Sequence, residues 1–522
     1  MPTLNWIGKE AVINHDKEVP FRLLRKVKSA SVGDNSQNLI VHGDNLEALK
    51  ALMPHYGGKV KCIYIDPPYN TGNEGWVYND KVNSPKIKRW LGKVVGRESE
   101  DLCRHDKWLC MMYPRLKLLK DLLCNDGAIF ISIDDNEHCN LKQAMDEIFG
   151  EENFVANIIW QKKYSPQNDA KYFSDMHDFI IVYAKKKNLG NELSGWTRNL
   201  VKRTELQNSR YKNPDDDPRG PWKPADFSVK TYSAAYDYEV ITPSGRKVNP
   251  PKGRSWVTSK EHFNNWKNDN RLWFGKSGNN VPSVKIFLSE VKDGTVPLTI
   301  WLRDEVGDNQ EAKQELKKIF STDKFPFDTP KPVRLIKRIL QIASNEDSLI
   351  LDSFAGSGTI GHAVLDLNKE DGGNRKFIMV EMENKVAKDI TAERVKRAIK
   401  KYDYKSGFEY CELDKTLFDE RGNIEESCDF NQFATYIYFT ETQTNIDKSK
   451  IDKNFIGELG SVEYYLIYKE KGQNELNKTI LLRLKNTKNK KIVYADRCDL
   501  DDKFLAKYNI VFKQIPYEVK VY

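Results

Sequence analysis

Residues 348–367, SLILDSFAGSGTIGHAVLDL, place an apolar segment, a glycine-rich turn and a second apolar segment in immediate succession. The short continuous apolar run of 348–352 indicates a buried strand, whereas the apolar spacing of 359–367 is that of a helix. Another apolar strand follows at 376–381 and ends in Glu381. This succession predicts a strand, a ligand-binding turn, a helix and a second strand of a doubly wound α/β sheet.

The turn between the first strand and the helix runs from Asp352 to Gly358 and contains Phe354, Gly356 and Gly358. Glycines at such a junction let backbone N–H groups approach a ligand closely near the helix N-terminus. Glu381 lies 23 positions after Gly358, close to the offset of about 20 residues at which a carboxylate accepts hydrogen bonds from ribose hydroxyls. We therefore expect an adenosine-containing ligand at this turn.

The same alternation of short apolar strands and helices begins near residue 38, stops within 161–325 and returns near residue 330. The intervening stretch is rich in Asn, Pro, Gly and Trp, which is typical of loops and turns. We predict one α/β domain that is formed by 1–160 and 326–402 and interrupted by the insertion 161–325. The β-leaning segments that follow predict a small separate domain, 403–522.

The sequence Asp66-Pro67-Pro68-Tyr69 ends an apolar strand in the first half of the α/β domain. The prolines fix φ and leave the Pro67 carbonyl available to a donor, at the sheet edge where α/β folds bind ligands. The Asp66 carboxylate and this carbonyl can accept the two N–H groups of a nucleobase amino group while Tyr69 stacks on the base. The alternative is a strand-terminating turn with a capping aspartate.

Positive charge is concentrated in the insertion. The 522-residue chain has a formal net charge of +8, and residues 161–300 alone hold 24 Lys and Arg against 15 Asp and Glu, a local net charge of +9. The same 140 residues contain 18 aromatic side chains. Cations meet phosphates and rings meet base faces, so this pattern favours nucleic acid. The alternative is a loop-rich domain with a small aromatic core.

Several classes of protein and site are excluded by what the sequence lacks. No apolar run approaches the roughly 18–20 residues that a membrane-spanning helix needs, and the N-terminus has no signal-peptide core. The eight cysteines form no Cys-x-x-Cys pair, which argues against a zinc site. The sequence therefore predicts a cytoplasmic protein without a membrane segment or a metal.

Four segments give a specific family resemblance: HGDNLEALKAL (42–52), YIDPPYNTG (64–72), RHDKWLCMMYPRLKLLKDLL (104–123) and GAIFISIDDNE (127–137). They closely resemble the β-group of DNA amino-methyltransferases, and within it the modification subunits of type III restriction–modification systems. In that family the Asp-Pro-Pro-Tyr half precedes the cofactor-binding half, with the target recognition domain between them. This chain has the same order, and the resemblance covers about residues 1–400.

The resemblance implies a site-specific methyltransferase that transfers a methyl group from S-adenosyl-L-methionine to N6 of adenine in duplex DNA. Aspartate at position 66, rather than serine, implies adenine N6 over cytosine N4. By the same resemblance, 161–325 is the target recognition domain. The tail, 403–522, is expected to bind a second copy of the chain, an ATP-dependent restriction subunit, or both.

The resemblance also assigns the candidate site residues. Asp66, Pro67, Pro68 and Tyr69 are the catalytic set, and Asp66 also borders the cofactor. Asp44 is expected to bond the cofactor's adenine, and Glu381 its ribose. The remaining cofactor-binding candidates are Thr329, Lys331, Asp352, Phe354, Gly356 and Gly358.

Three alternatives to this function stay open. The chain can be a solitary DNA adenine methyltransferase whose tail packs on its own core. It can methylate RNA or a protein, with a related proline-rich loop. It can also be a non-catalytic DNA-specificity subunit, although an intact Asp66 and an intact glycine turn speak against this.

Overall fold

The computed structural model has a ten-stranded mixed sheet as its largest element. It describes residues 4–33, 36–71, 103–166, 168, 170–190, 194–322, 326–418, 424–425, 427–469 and 474–515. The chain divides into two compact units, of which the first is Met1–Asn199 with Leu298–Tyr522 and the second is Leu200–Pro297. The large sheet belongs to the first unit.

Ten segments form this sheet, in the spatial order β1-β10-β2-β9-β8-β3-β4-β6-β5-β7. In chain order they are β1 (Arg22–Lys26), β2 (Leu39–His42), β3 (Val60–Ile65), β4 (Leu123–Ile133), β5 (Phe154–Gln161), β6 (His177–Ala184), β7 (Ile300–Trp301), β8 (Leu349–Asp352), β9 (Lys376–Glu381) and β10 (Glu409–Thr416). The six neighbours from β10 to β4 run parallel, whereas β6 is antiparallel to both β4 and β5. A parallel sheet with connecting helices confirms the predicted doubly wound α/β class.

Amphipathic helices connect the parallel strands. The longer ones in the first unit are α1 (Asn45–Tyr56), α2 (Arg104–Leu122), α3 (His138–Phe149), α4 (Asn309–Phe320), α5 (Val333–Ala343), α6 (Thr359–Asp371), α7 (Glu393–Tyr402) and α8 (Phe430–Thr442). Apolar side chains of α1, α2 and α3 pack with buried residues of the sheet in one continuous core. Among the described residues, no helix combines the length and the apolar character needed to span a membrane.

The second unit, Leu200–Pro297, is built from short elements around an aromatic core. Its segments are the strands Trp222–Asp226, Ser228–Val229, Val240–Ile241, Lys247–Val248, Ser255–Trp256, Leu272–Trp273 and Ser283–Phe287 and the helices Glu205–Asn208 and Lys260–Asn268. The side chains of Trp222 and Trp256 are buried, and Trp256 packs with Phe227 and Phe263. For these two tryptophans the prediction of base-stacking rings is wrong, because they fill the core of a unit that has little regular structure.

The predicted limits of the insertion, 161–325, are wider than this second unit. Strand β6 lies inside those limits and is paired on both sides in the large sheet, because its run DFIIVYA is apolar enough to be buried there. Helix α4 also belongs to the first unit. The compact basic insertion is therefore Leu200–Pro297.

The chain after residue 402 first completes the large sheet and then forms a smaller one. Strand β10 pairs with β2, so the predicted boundary at residue 403 is too early. The smaller sheet consists of β11 (Phe455–Leu459), β12 (Val462–Leu466), β13 (Lys490–Ala495) and β14 (Ile510–Gln514), in that order. Buried apolar side chains cover both of its faces.

Candidate active site

Four carboxylates lie at the carboxyl ends of four neighbouring parallel strands. Asp44 follows β2, Glu381 ends β9, Asp352 ends β8 and Asp66 follows β3. The chain leaves β8 toward β9 on one side and leaves β3 toward β4 on the other. The loops after β8 and β3 therefore diverge at the position where doubly wound sheets bind ligands. The structure brings both sequence-predicted motifs to one crevice.

Asp66 uses only one of its two carboxylate oxygens within the described residues. Its Oδ2 accepts a hydrogen bond from Lys331 Nζ at 2.5 Å, and this lysine is itself buried. Its Oδ1 is buried and has no hydrogen-bond partner among the described groups. A buried, unpaired carboxylate oxygen is costly, so it marks a position where a ligand donor is expected.

The two prolines are held in place from behind. Trp108 of α2 donates its indole N–H to the Pro68 carbonyl at 2.7 Å. Asn70 has φ of +57°, and its side-chain amide donates to the Arg104 carbonyl and to the buried carboxylate of Glu137. These contacts fix the backbone that follows the Pro67 carbonyl.

Tyr69 belongs to a buried polar network that sequence reasoning missed. Its hydroxyl donates to Asp178 Oδ2 at 3.3 Å, and Asp178 Oδ1 accepts from Lys162 Nζ at 2.5 Å. Burial raises the pKa of Asp178 and also keeps the pKa of the Tyr69 hydroxyl well above its ordinary value. Lys331 Nζ lies 5.3 Å from the centroid of the Tyr69 ring. The ring is therefore oriented by groups at both of its ends.

Positive φ angles and close packing determine the conformation of the glycine turn, Asp352 to Gly358. Gly358 has φ of +75°, and a Cβ there would lie 2.9 Å from the carbonyl oxygen of Thr391. Gly356 has φ of +47°, and its N–H donates to Glu381 Oε2 at 2.9 Å. Below the turn the fully buried Arg394 donates to the hydroxyls of Ser357 and Thr359. Both glycines are thus required by backbone geometry.

Asp352 and Asp44 have defined structural contacts as well as a place in the crevice. Asp352 Oδ1 accepts from the N–H of Phe354, and burial together with the nearby Asp66 and Glu381 keeps the pKa of Asp352 well above its ordinary value. Asp44 caps α1 by accepting from the N–H groups of its first turn. Its second oxygen lies 3.3 Å from Arg115 Nη2.

Two predicted cofactor-binding residues near the end of the insertion, Thr329 and Lys331, differ in their exposure to solvent. Lys331 lies in the crevice against Asp66, and its carbonyl accepts a hydrogen bond from Thr359. Thr329 is exposed, and its side chain makes no hydrogen bond to another described residue. The structure therefore places Lys331 against the predicted catalytic residue Asp66 and leaves Thr329 at the surface.

The carboxylates of the crevice can be compared with the chemical groups of the expected cofactor. Several carboxylates lie close together, and burial, with the charges of Asp66 and Glu381, raises the pKa of Asp352. Such a set accepts hydrogen bonds from hydroxyl and amino groups and is stabilised by a cation, whereas it repels a phosphate. A ligand with ribose hydroxyls, an amino group and a positive sulfur fits these residues.

A sequence profile of the N6/N4 DNA methylase family matches residues 60–393, which include both motifs of the crevice. The chain belongs to this DNA methylase family. This match agrees with the DNA methyltransferase that the sequence predicts.

Three curated relatives of this DNA methylase show how far the similarity extends. The Mod subunit of the Salmonella typhimurium type III restriction-modification enzyme StyLTI is 37% identical, over 69% of this chain and 54% of that protein. The EcoP15I Mod subunit of Escherichia coli is 31% identical, over 76% of this chain and 69% of that protein. The DNA adenine methyltransferase YhdJ of Escherichia coli is 33% identical, over 75% of this chain and 92% of that protein. The methylase chain thus spans about half the length of the StyLTI subunit.

Proposed function

We propose that this methylase transfers a methyl group to N6 of adenine in duplex DNA. The observation that carries the proposal is Asp66 Oδ1, an acceptor that is buried and unpaired among the described groups beside the Pro67 carbonyl and the Tyr69 ring. Of the relatives above, YhdJ is named as an adenine methyltransferase, which supports the same base.

An exocyclic amino group is a poor nucleophile because its lone pair is delocalised into the base. Asp66 Oδ1 and the Pro67 carbonyl would each accept one N–H and so localise the lone pair on N6. Lys331 holds the other oxygen of Asp66, which fixes the direction of the free one. Formation of the N–C bond would break the bond between the methyl carbon and the cofactor's sulfur, whose electron pair would return to sulfur. N6 would then be positively charged with two protons, and one of them would pass to Asp66 Oδ1. The arrangement stabilises the charge that develops on nitrogen.

The cofactor would lie across the ends of β2, β9 and β8. S-adenosyl-L-methionine supplies an activated methyl group on a positively charged sulfur. Glu381 would accept from the ribose hydroxyls, and Asp44 from the adenine amino group. Asp352, Phe354, Gly356 and Gly358 would form the wall of the pocket, and Lys331 with Thr329 would border the methionine end.

Recognition of the DNA sequence is assigned to the unit Leu200–Pro297 within the predicted insertion. Its exposed cations include Lys252 and Lys276, which suit phosphate contacts. Roughly half to two-thirds of the hydrogen bonds in such interfaces go to phosphates and sugars, which carry no sequence information. Exposed polar side chains of the same unit would read the base edges.

We further propose that the chain acts in the cytoplasm as the modification subunit of a restriction–modification system. The names of the Mod relatives support this, and the part of the chain after residue 402 would contribute contacts with a second copy of the chain or with a restriction subunit. The alternative of a solitary enzyme is favoured by one observation, which is that YhdJ is matched over 92% of its length.

The test uses the purified full-length chain, labelled S-adenosyl-L-methionine and duplex DNA without ATP. Digestion of the DNA to nucleosides and mass analysis should give N6-methyladenine and no cleavage of the duplex. N4-methylcytosine would overturn the assignment of the base. Transfer to RNA or protein in place of DNA would overturn the substrate, and cleavage of DNA by the chain alone would overturn its role as a modification subunit.

A further inference from the structure

The connection between β5 and β6 exposes three aromatic side chains. The exposed fraction is 67% for Tyr164, 82% for Tyr172 and 95% for Phe173. Phe173 has the largest exposed fraction of any large hydrophobic side chain in the described part of the chain. A phenylalanine ring held almost entirely in water adds nothing to the core, and with Tyr172 beside it in the chain it offers an apolar surface to a ligand.

The base of this connection is attached to the catalytic residues. Lys162 Nζ pairs with Asp175 at 2.8 Å and with Asp178 at 2.5 Å, and Asp178 accepts from the Tyr69 hydroxyl. Phe173 is two residues from Asp175, and two extended residues span at most ~7 Å. Its backbone therefore lies close to Asp175, which binds the same lysine as Asp178.

Positive charge accompanies the exposed rings. Lys171 Nζ lies 5.3 Å from the centroid of the Tyr172 ring, and the Arg303 guanidinium lies 4.5 Å from that of Tyr164. Cations beside exposed rings match a ligand in which phosphates alternate with stacked bases. A nucleic-acid duplex has this chemistry, whereas an apolar protein surface does not.

We propose that Phe173 inserts into the duplex and fills the space that the target adenine leaves. This inference rests on the proposed function, since a base inside a duplex cannot reach Asp66 unless it is turned out of the stack. Removing a base costs its stacking with both neighbours. An aromatic or apolar side chain inserted at that position restores part of that stacking. The attachment through Asp175 and Asp178 would place the inserted ring and Tyr69 on one rigid support.

The experiment compares Phe173→Ala with the wild type on two DNA duplexes. In the first the target adenine is paired with thymine, and in the second it lies opposite an abasic site, which lowers the cost of turning it out. We expect Phe173→Ala to methylate the paired duplex at least about tenfold more slowly and the abasic duplex at a rate within about twofold of the wild type. Phe173→Trp, which keeps a ring, should retain activity on both.

Leu482→Ala is the matched control, because Leu482 is 80% exposed and lies in the C-terminal part of the chain. It should leave both rates unchanged, and both alanine variants should melt like the wild type. A second readout is the fluorescence of 2-aminopurine at the target position, which rises when the base is unstacked and should rise less with Phe173→Ala.

Two results would overturn the insertion of Phe173 while leaving the proposed function intact. One is equal activity of Phe173→Ala and the wild type on the paired duplex. The other is an equal loss on both duplexes, which would make Phe173 a general contact with DNA. A wild-type chain that methylates neither duplex would instead contradict the proposed function itself.

Discussion

Two buried lysine–carboxylate clusters of this protein differ in one respect. In the second unit, Lys285 Nζ lies 2.9 Å from Asp217 Oδ2, and Arg219 binds both oxygens of the same carboxylate at 2.9 Å. In the crevice, Lys331 Nζ binds Asp66 Oδ2, but Asp66 Oδ1 is buried without a described partner. The first cluster is complete, and the second leaves one acceptor open.

The difference separates a cluster that holds the fold from one that is kept for chemistry. Hydrogen bonds to a buried carboxylate offset the cost of removing it from water, and a missing one leaves that cost uncompensated. Asp217 is fully compensated, in a unit whose short strands supply few backbone hydrogen bonds. Asp66 is not, and a substrate amino group would complete it.

The largest expected effect is on stability, in the complete cluster. Asp217→Asn keeps the shape of the side chain but removes the carboxylate that Lys285 and Arg219 share, and it leaves them with Asp215 and Asp269 as partners. Removing one partner of a buried ion pair costs about 3–5 kcal/mol, so with these remaining partners the free energy of unfolding should fall by up to that amount. Urea unfolding followed by tryptophan fluorescence measures it.

Asp216→Asn is the control for this variant, because it makes the same chemical change at the neighbouring, exposed position. It should change the free energy of unfolding by less than about 0.5 kcal/mol. Equal effects at the two positions would mean that the complete cluster does not hold the unit together.

The same cluster predicts a dependence on pH. Arg219, with Lys285, holds the pKa of Asp217 well below its ordinary value. A group whose pKa is lowered on folding contributes stability above its unfolded value of about 3.9 and loses it as the pH falls through the folded value. The difference in unfolding free energy between the wild type and Asp217→Asn should therefore be constant from pH 7 to 5 and shrink below about pH 4. A difference that grows in acid would contradict this.

A smaller effect, on the rate of methyl transfer, is expected from a change at Asp178, which binds Tyr69 beside the Asp66 cluster. Asp178→Asn removes the charge that Tyr69 and Lys162 share, so the Tyr69 ring loses its fixed orientation. Misplacing a positioning group costs up to about a hundredfold in rate, so methyl transfer should fall about tenfold to a hundredfold. Single-turnover assays with a fixed DNA duplex measure this.

Asp175→Asn is the matched control, since Asp175 binds the same lysine but is half exposed and does not contact Tyr69. On a duplex whose target adenine lies opposite an abasic site, where the support of Phe173 matters least, its rate should stay within about twofold of the wild type. Similar losses for both variants would show that Lys162, rather than the orientation of Tyr69, governs the rate.

The smallest effect concerns the exposed cations of the second unit, which contrast with the buried Lys285. Lys252→Ala should leave the stability unchanged and reduce the slope of log affinity against log salt on duplex DNA by ~0.9. Lys276→Ala should do the same. Slopes that stay at the wild-type value for both would mean that these lysines are only solvated.

Much of the crevice could be predicted from the sequence because its signals are local. A short apolar strand followed at once by Asp66, or by Asp352 and glycines, fixes both the element and the side chain at its end. Parallel strands then bring these ends to one edge. Glu381 is found by the same reasoning, since it ends the next strand.

Other features depend on contacts that no local pattern carries. Asp178 meets Tyr69 across 109 positions of sequence, and only the pairing of β6 with β4 brings them together. Trp222 and Trp256 contribute to the aromatic content that favours a nucleic-acid-binding surface, but both side chains are buried inside the second unit. The two most exposed rings, Tyr172 and Phe173, instead lie in the connection between β5 and β6, where spacing gives no signal.

The central claim is that the open oxygen of Asp66 performs chemistry and does not hold the fold. One measurement tests it directly, which is the single-turnover rate of methyl transfer by Asp66→Asn on an adenine-containing duplex, with urea unfolding of the same sample. The account predicts a rate at least about a hundredfold below the wild type and a free energy of unfolding within about 1 kcal/mol of it. A near-normal rate, or a loss of rate that a loss of stability fully explains, would contradict the account.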